Sequence, residues 1–202
     1  MLLNVEDVQL VLVDYQSRLM PVIHQGEEVL SRARFLAQVA QLLDVPVWGT
    51  EQNPDRLGPN DASLRAACTR TFSKMSFDAS RCALLPALRP EVAKPAGNAR
   101  SLPRHLQKPA AASAPARGTI VLAGVEAHVC LLQTALGLLE QEFDVWVVTD
   151  ASGSRRERDR DAAFDRLAGN GVELVTSEMV AFEWLEDCAH PRFREVLALV
   201  KH

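Results

Sequence analysis

Apolar positions along the chain follow two alternating rhythms. Short runs rich in valine, leucine and isoleucine recur at VQLVLVDYQ, VPVWGTEQ, TIVLAGVE, DVWVVTDAS and VELVTSEM, and each gives way to polar residues. Runs of this length and composition read as strands buried in a sheet. A weaker run, KMSF, predicts a short third strand preceded by a loop. Longer stretches with three-and-four spacing lie between them. In EEVLSRARFLAQVAQLLDV the apolar set is Val29, Leu30, Ala33, Leu36, Ala37, Ala40 and Leu43, one face of a helix. HVCLLQTALGLLEQE, RERDRDAAFDRLAGNG and PRFREVLALVK predict three more helices, the middle one closed by glycine or asparagine.

Strands alternating with helices at this spacing predict an α/β protein. The expected architecture is a three-layer α/β/α, Rossmann-like fold around a central, mostly parallel six-stranded sheet. In such folds chemistry sits beyond the carboxyl ends of the strands. The 202 residues suit one domain, residues 1–202. From Pro95 to Gly118 the rhythm breaks into PAGNARSLPRHLQKPAAASAPARG. Proline removes donors and blocks helix continuation, so residues 95–118 are expected to form a surface loop: a disordered segment or surface flap on one reading, a lid over the site on the other.

Composition narrows the function classes. With 48% hydrophobic and 24% charged residues the chain is an ordinary globular one. A net charge of -4 argues against nucleic acid or an anionic membrane as the main partner. The arginines of SRRERDRD alternate with acids, as on a solvated helix face. No apolar run approaches the length of a membrane span. The N-terminus lacks a basic leader and a small-residue cleavage site, so it reads as the first strand and a cytoplasmic location is expected. Cys68, Cys82, Cys130 and Cys188 are widely spaced with no CxxC pair, which suggests neither a disulfide framework nor a zinc site. No metal and no cofactor is expected.

Three reactive side chains fall near strand ends. Asp14 ends the first strand, Lys74 opens the weak third segment, and Cys130 follows TIVLAGV at the start of a helix. Taken alone, each has a plain structural reading: inert packing for the cysteine, a turn cap for the aspartate, a surface position for the lysine. Together they make a nucleophilic set. An ammonium and a helix N-terminus favour the thiolate, and a carboxylate takes the thiol proton and returns it to the leaving group. Tyr15, Gln16, Thr50, Glu51 and Gln52 lie toward the same edge and are candidate pocket-lining residues, with Phe72 and Phe77 as candidate walls; core packing explains the aromatic residues equally well. His128 lies two residues before the cysteine, on a different helix face, and reads as structural.

LVLVDYQ, TFSKMSF, VLAGVEAHVCLLQTALGLLEQ, VWVVTDASGSR and VTSEMVAFEWL with AHPRFREV together resemble the isochorismatase-like cysteine hydrolase superfamily. The nearest branch is that of the isochorismatase domain-containing proteins of unassigned substrate. The likeness runs nearly end to end, with the Pro/Ala-rich excursion as the main departure. It implies a catalytic triad of Asp14, Lys74 and Cys130. It also implies a non-proline cis peptide at Val125–Glu126 and an oxyanion hole made by the backbone N–H groups of Glu126 and Cys130. Family nicotinamidases carry an aspartate and histidines after the second strand; TEQNPDRLGPN has no histidine, so the resemblance implies a metal-independent enzyme. The activity expected is hydrolysis of a small amide or C–N substrate through a thioester, in a homo-oligomer. The alternative is a binding or scaffold protein that keeps the fold and turns over nothing. A thiol redox role is disfavoured, because Cys130 has no resolving cysteine in its local sequence.

Overall fold

The computed structural model describes residues 2–89 and 117–201. Its centre is a six-stranded sheet in which every recorded pairing is parallel. The strands are β1 (Val8–Val13), β2 (Val47–Gln52), β3 (Arg70–Lys74), β4 (Thr119–Gly124), β5 (Asp144–Val148) and β6 (Glu173–Val175), in the order β3-β2-β1-β4-β5-β6. All residues of β1 and β4 are buried, as the unbroken apolar runs VQLVLV and TIVLAG require of strands covered on both faces.

Helices cover both faces. Helix α1 (Gly26–Leu42) buries Val29, Leu30, Ala33, Leu36, Ala37 and Ala40 of the expected stripe. It shares one core with Leu10 and Leu12 of β1, with helix α7 (Ser177–Leu185), and with helix α8 (Phe193–Val200). The other core gathers Val11, Val13, Ile120 and Leu122 with helices α4 (Leu84–Leu88), α5 (Leu132–Glu140) and α6 (Glu157–Gly169). Successive residues of β1 thus point to opposite layers. Two short helices, α2 (Pro54–Leu57) and α3 (Ala62–Ala67), fill the β2–β3 connection.

Two elements differ from the sequence expectation. The third strand is Arg70–Lys74 rather than KMSF, so Lys74 closes a strand instead of opening one. Phe72 and Lys74 both point inward, and a lysine in the inward register hides the alternation that marks a strand. After Val175 the run does not continue to Met179. Thr176 accepts a hydrogen bond from the Met179 amide and starts α7, whose Trp184 and Leu185 belong to the core. Of the Pro95–Gly118 excursion, only Arg117 and Gly118 lie among the described residues, and the lid expectation falls outside them.

The strand order reverses direction between β1 and β4. In open parallel sheets the loops leaving such a switch point diverge, and ligands bind in the crevice beyond the carboxyl ends of its strands. Asp14 follows β1 there, and the segment carrying Cys130 follows β4. Among the described residues no helix is long and apolar enough to cross a membrane.

Candidate active site

Asp14 leaves β1 with a φ of 56°, in the left-handed region that aspartate tolerates better than most residues. The turn aims its carboxylate across the ends of β2 and β3. Oδ1 accepts from the Thr50 hydroxyl at 2.7 Å, and Oδ2 accepts from Lys74 Nζ at 2.7 Å. Both side chains of this ion pair are wholly buried. Lys74 Nζ also donates to Gln52 Oε1 at 2.8 Å and to the Phe77 carbonyl at 3.3 Å. Three protons thus find three acceptors.

Cys130 arrives from the other side of the switch point. β4 ends at Gly124, whose amide donates to Ser152 Oγ at 3.2 Å and where any Cβ would collide with Val13. The Val125–Glu126 peptide is cis. A single π-helical turn, Ala127–Leu131, then delivers Cys130 at the head of α5. The turn is pinned from outside: Ala127 N–H donates to the Gly153 carbonyl at 2.7 Å, and His128 Nδ1 meets Ser154 Oγ at 2.9 Å. Glu126 Oε2 accepts from the Arg155 amide and its Nε. Among the described residues, neither the Glu126 nor the Cys130 amide donates to an acceptor outside this turn, which leaves both as candidate donors toward the cleft.

Cys130 is buried, 5% exposed as a residue, and both Asp14 and Lys74 act on its thiol. Burial, then the negative charge of Asp14, push its pKa up to about 12; Lys74 pulls in the other direction and is outweighed. From the sequence, the ammonium and the helix N-terminus are expected to favour the thiolate. The structure reverses that balance, because a thiolate would be both desolvated and next to a carboxylate. Burial and Asp14 therefore favour the protonated thiol of Cys130.

Several candidate pocket residues hold the site's frame. Tyr15 is fully buried, with its hydroxyl donating to the Ala151 carbonyl. Gln16 is fully buried and bonds both backbone groups of Gln52, accepting from its amide at 2.8 Å and donating to its carbonyl at 3.0 Å. Thr50 and Gln52 bind the ion pair directly, while the Glu51 carboxylate faces the other way and accepts from the Asn60 amide. Phe72 packs in the core against Trp48, whereas Phe77 stays 49% exposed beside the lysine. Thr50 and Gln52 sit two apart on one strand, a pair of polar residues on the inward face; that spacing is the signal in the sequence for a buried polar cluster.

No three His, Cys, Asp or Glu side chains among the described residues gather where a metal ion would be held. A cavity of about 450 Å3, lined by Arg32, Phe35, Asp150 and Arg160 among others, opens between α1 and the loop after β5, away from Cys130.

Known proteins share this plan. The family profile described as "Isochorismatase domain" matches residues 8–179. Isochorismatase domain-containing protein 2 of Bos taurus is 37% identical over 95% of this chain and 82% of its own length, and that of Homo sapiens is 33% identical over the same shares. Among solved structures, the MAR1 ribonuclease of Caenorhabditis elegans superposes with a TM-score of 0.83 and 28% identity, covering 100% of this chain and 93% of that one. YcaC of Escherichia coli, described as an octameric hydrolase of unknown specificity, superposes at 0.77 with 23% identity over 100% and 97%. At that identity the likeness is one of fold.

Proposed function

We propose that this chain, which belongs to the isochorismatase family of hydrolases, is a metal-independent cysteine hydrolase acting on a small amide or related C–N substrate. The observation that carries the reading is the placement of the Cys130 thiol beside the fully buried Asp14–Lys74 ion pair. A buried ion pair is often no better for stability than well-packed apolar residues, so a fold that only binds or scaffolds has no physical need of one. Beside a nucleophile it has a use.

The reaction balances within the cluster. Cys130 Sγ attacks the carbonyl carbon as its proton passes to Asp14. The developing oxyanion is met by the amides of Glu126 and Cys130, aimed where charge develops. Asp14 gives the proton to the departing nitrogen, the C–N bond breaks, and an acyl thioester remains. Water then attacks the thioester while Asp14 takes its proton. The C–S bond breaks, a carboxylic acid leaves, and the proton returns to Sγ. Before proton transfer the buried charges are Asp14 and Lys74; after it they are Lys74 and the negative charge that passes from sulfur to the oxyanion as the C–S bond forms. The net charge is zero in both states, so the low-dielectric site bears no uncompensated charge.

One continuous sheet supports a single hydrolase domain over residues 1–202. The octameric state of YcaC from E. coli, with Met75 and Phe77 exposed beside the site here, supports a homo-oligomer.

The test is a panel of small amides and carbamoyl compounds, with ammonia release followed and acid-quenched protein weighed by mass spectrometry. We expect turnover of a panel member with an acyl adduct on Cys130, both lost in Cys130→Ala. Turnover that survives Cys130→Ala overturns the reading, and silence across the panel moves the binding-protein alternative ahead. An RNA oligonucleotide belongs in the panel because of the C. elegans neighbour's name. Its cleavage would replace the amide reading.

A further inference from the structure

Two neutral, buried amides stand behind the ion pair: Gln52 bonds Lys74, and Gln16 bonds Gln52. Gln52 is 8% exposed and Gln16 not at all. Gln52 Oε1 accepts from Lys74 Nζ at 2.8 Å, while its Nε2 donates to the Met75 carbonyl at 2.8 Å. That second bond fixes which end of the amide faces the ammonium. Gln16 clasps the Gln52 backbone at both amide and carbonyl, and its Nε2 also donates to the Gly58 carbonyl at 2.6 Å. The position of Gln52 is therefore set by Gln16 after β1 and by Lys74 and Met75 at the end of β3.

Resting on the cysteine-hydrolase reading, we propose that Gln52 is a positioning residue for its acid–base step. Its carbonyl holds the Lys74 ammonium in place when Asp14 is protonated, and its neutrality keeps the buried cluster free of surplus charge. Gln16 is the residue that locks Gln52 into this role.

When Asp14 carries the thiol proton, its pull on Lys74 falls, and the ammonium must stay to face the thiolate. Of the three Lys74 acceptors, Asp14 has then lost its charge and the Phe77 carbonyl is the longest contact. Gln52 is the short contact that does not change through the step. The titratable groups facing Lys74 are Asp14 from the end of β1 and Cys130 from the π-helical turn. Among the described residues Cys82, from the turn after β3, also feels the Lys74 charge, while Asp78 accepts from the Ser80 amide and pairs with Arg81. Glu51, next in the chain, is turned away and lies 3.8 Å from Arg65. A carboxylate at position 52 would add a negative charge beside the ion pair and oppose thiolate formation.

Gln52→Glu is nearly isosteric, so it separates charge from shape. The experiment follows iodoacetamide alkylation of Cys130 from pH 7 to 10 by mass spectrometry, with the exposed Cys188 as internal reference in each sample. Wild type is compared with Gln52→Glu, Gln52→Leu, Asp14→Asn and Lys74→Met. We expect Gln52→Glu to move the Cys130 profile upward by about one pH unit or more, a roughly tenfold slowing at fixed pH. Gln52→Leu, which removes the bond without adding charge, is expected to slow it roughly threefold. If Gln52→Glu does not fold, the Leu variant decides. A Cys130 profile that coincides with wild type in the Gln52 variants, while Asp14→Asn or Lys74→Met shifts it, overturns this inference and leaves the cysteine reading standing. A profile that none of the four variants moves overturns the triad itself.

Discussion

The two edges of the sheet both bury polar side chains, but to different ends. At the amino edge, Gln9 is 4% exposed; its amide donates to the carbonyls of Leu88 and Arg117 and accepts from Trp48 Nε1. Nearby, Asp7 accepts from the Gly118 amide and the Thr119 hydroxyl, and Arg117 donates to the carbonyls of Val5 and Val8. Nearly every partner there is backbone or a neutral donor, and the bonds tie the start of β1 to the start of β4. At the carboxyl edge the buried groups are two full charges bonded to each other and to side chains, with a thiol beside them. Polar burial that ends on backbone fixes register. Burial of an ion pair beside a thiol comes at some cost in stability, and under the proposed hydrolase reading that cost goes with the chemistry.

The comparison breaks most visibly at Lys74. Lys74→Met leaves the Asp14 charge buried without its partner and is expected to cost about 3–5 kcal/mol in urea unfolding. Adding Asp14→Asn should recover most of that loss, and additive losses would mean the two groups are not coupled. At the other edge, Gln9→Leu strands Trp48 Nε1 and the Leu88 carbonyl. It should cost about 1–3 kcal/mol while leaving the Cys130 alkylation profile where it was. A shift in that profile would erase the functional distinction between the edges.

A smaller effect is expected on the rim of the carboxyl edge. Asp61 accepts from the amides of Ser63 and Leu64 at the start of α3, and its hydrogen bond from Arg34 holds its carboxyl well below the usual carboxylate range. Asp61→Ala should cost about 1 kcal/mol at neutral pH. Because the folded-state pKa is depressed, the stability Asp61 supplies is fully present above its unfolded value of about 3.9. It is lost as pH falls through the folded one. The difference between wild type and Asp61→Ala should therefore narrow in acid, and a gap that stays constant would remove the carboxylate from the account.

Much of the sheet was legible because fully buried strands such as VQLVLV and TIVLAG carry no polar residue to confuse their period. β3 was harder, since its inward positions are Phe72 and Lys74, and a buried lysine reads as surface until its partner is known. The start of α7 was hidden by Val172–Val175 running into Thr176, a residue equally at home in a strand or as a cap. In the site, residue types at strand ends drew attention to Asp14, Lys74 and Cys130, but the direction of the thiol shift depends on burial and distance. Gln52 was legible as a residue near the edge and not as the partner of Lys74. An amide facing a crevice and one facing an ammonium look the same in a sequence.

The central claim is that Asp14 acts on the Cys130 thiol, raising it at rest and taking its proton in reaction. The most direct measurement is the pH dependence of Cys130 alkylation in wild type and in Asp14→Asn, beside amide turnover by the same two proteins. In wild type, Cys130 should alkylate more slowly than exposed Cys188 at pH 8, with its rate rising toward pH 12. In Asp14→Asn the opposing charge is gone and Lys74 remains, so alkylation should speed up while turnover is lost with the base. Alkylation that stays the same or slows in Asp14→Asn, or turnover that survives it, would contradict the account.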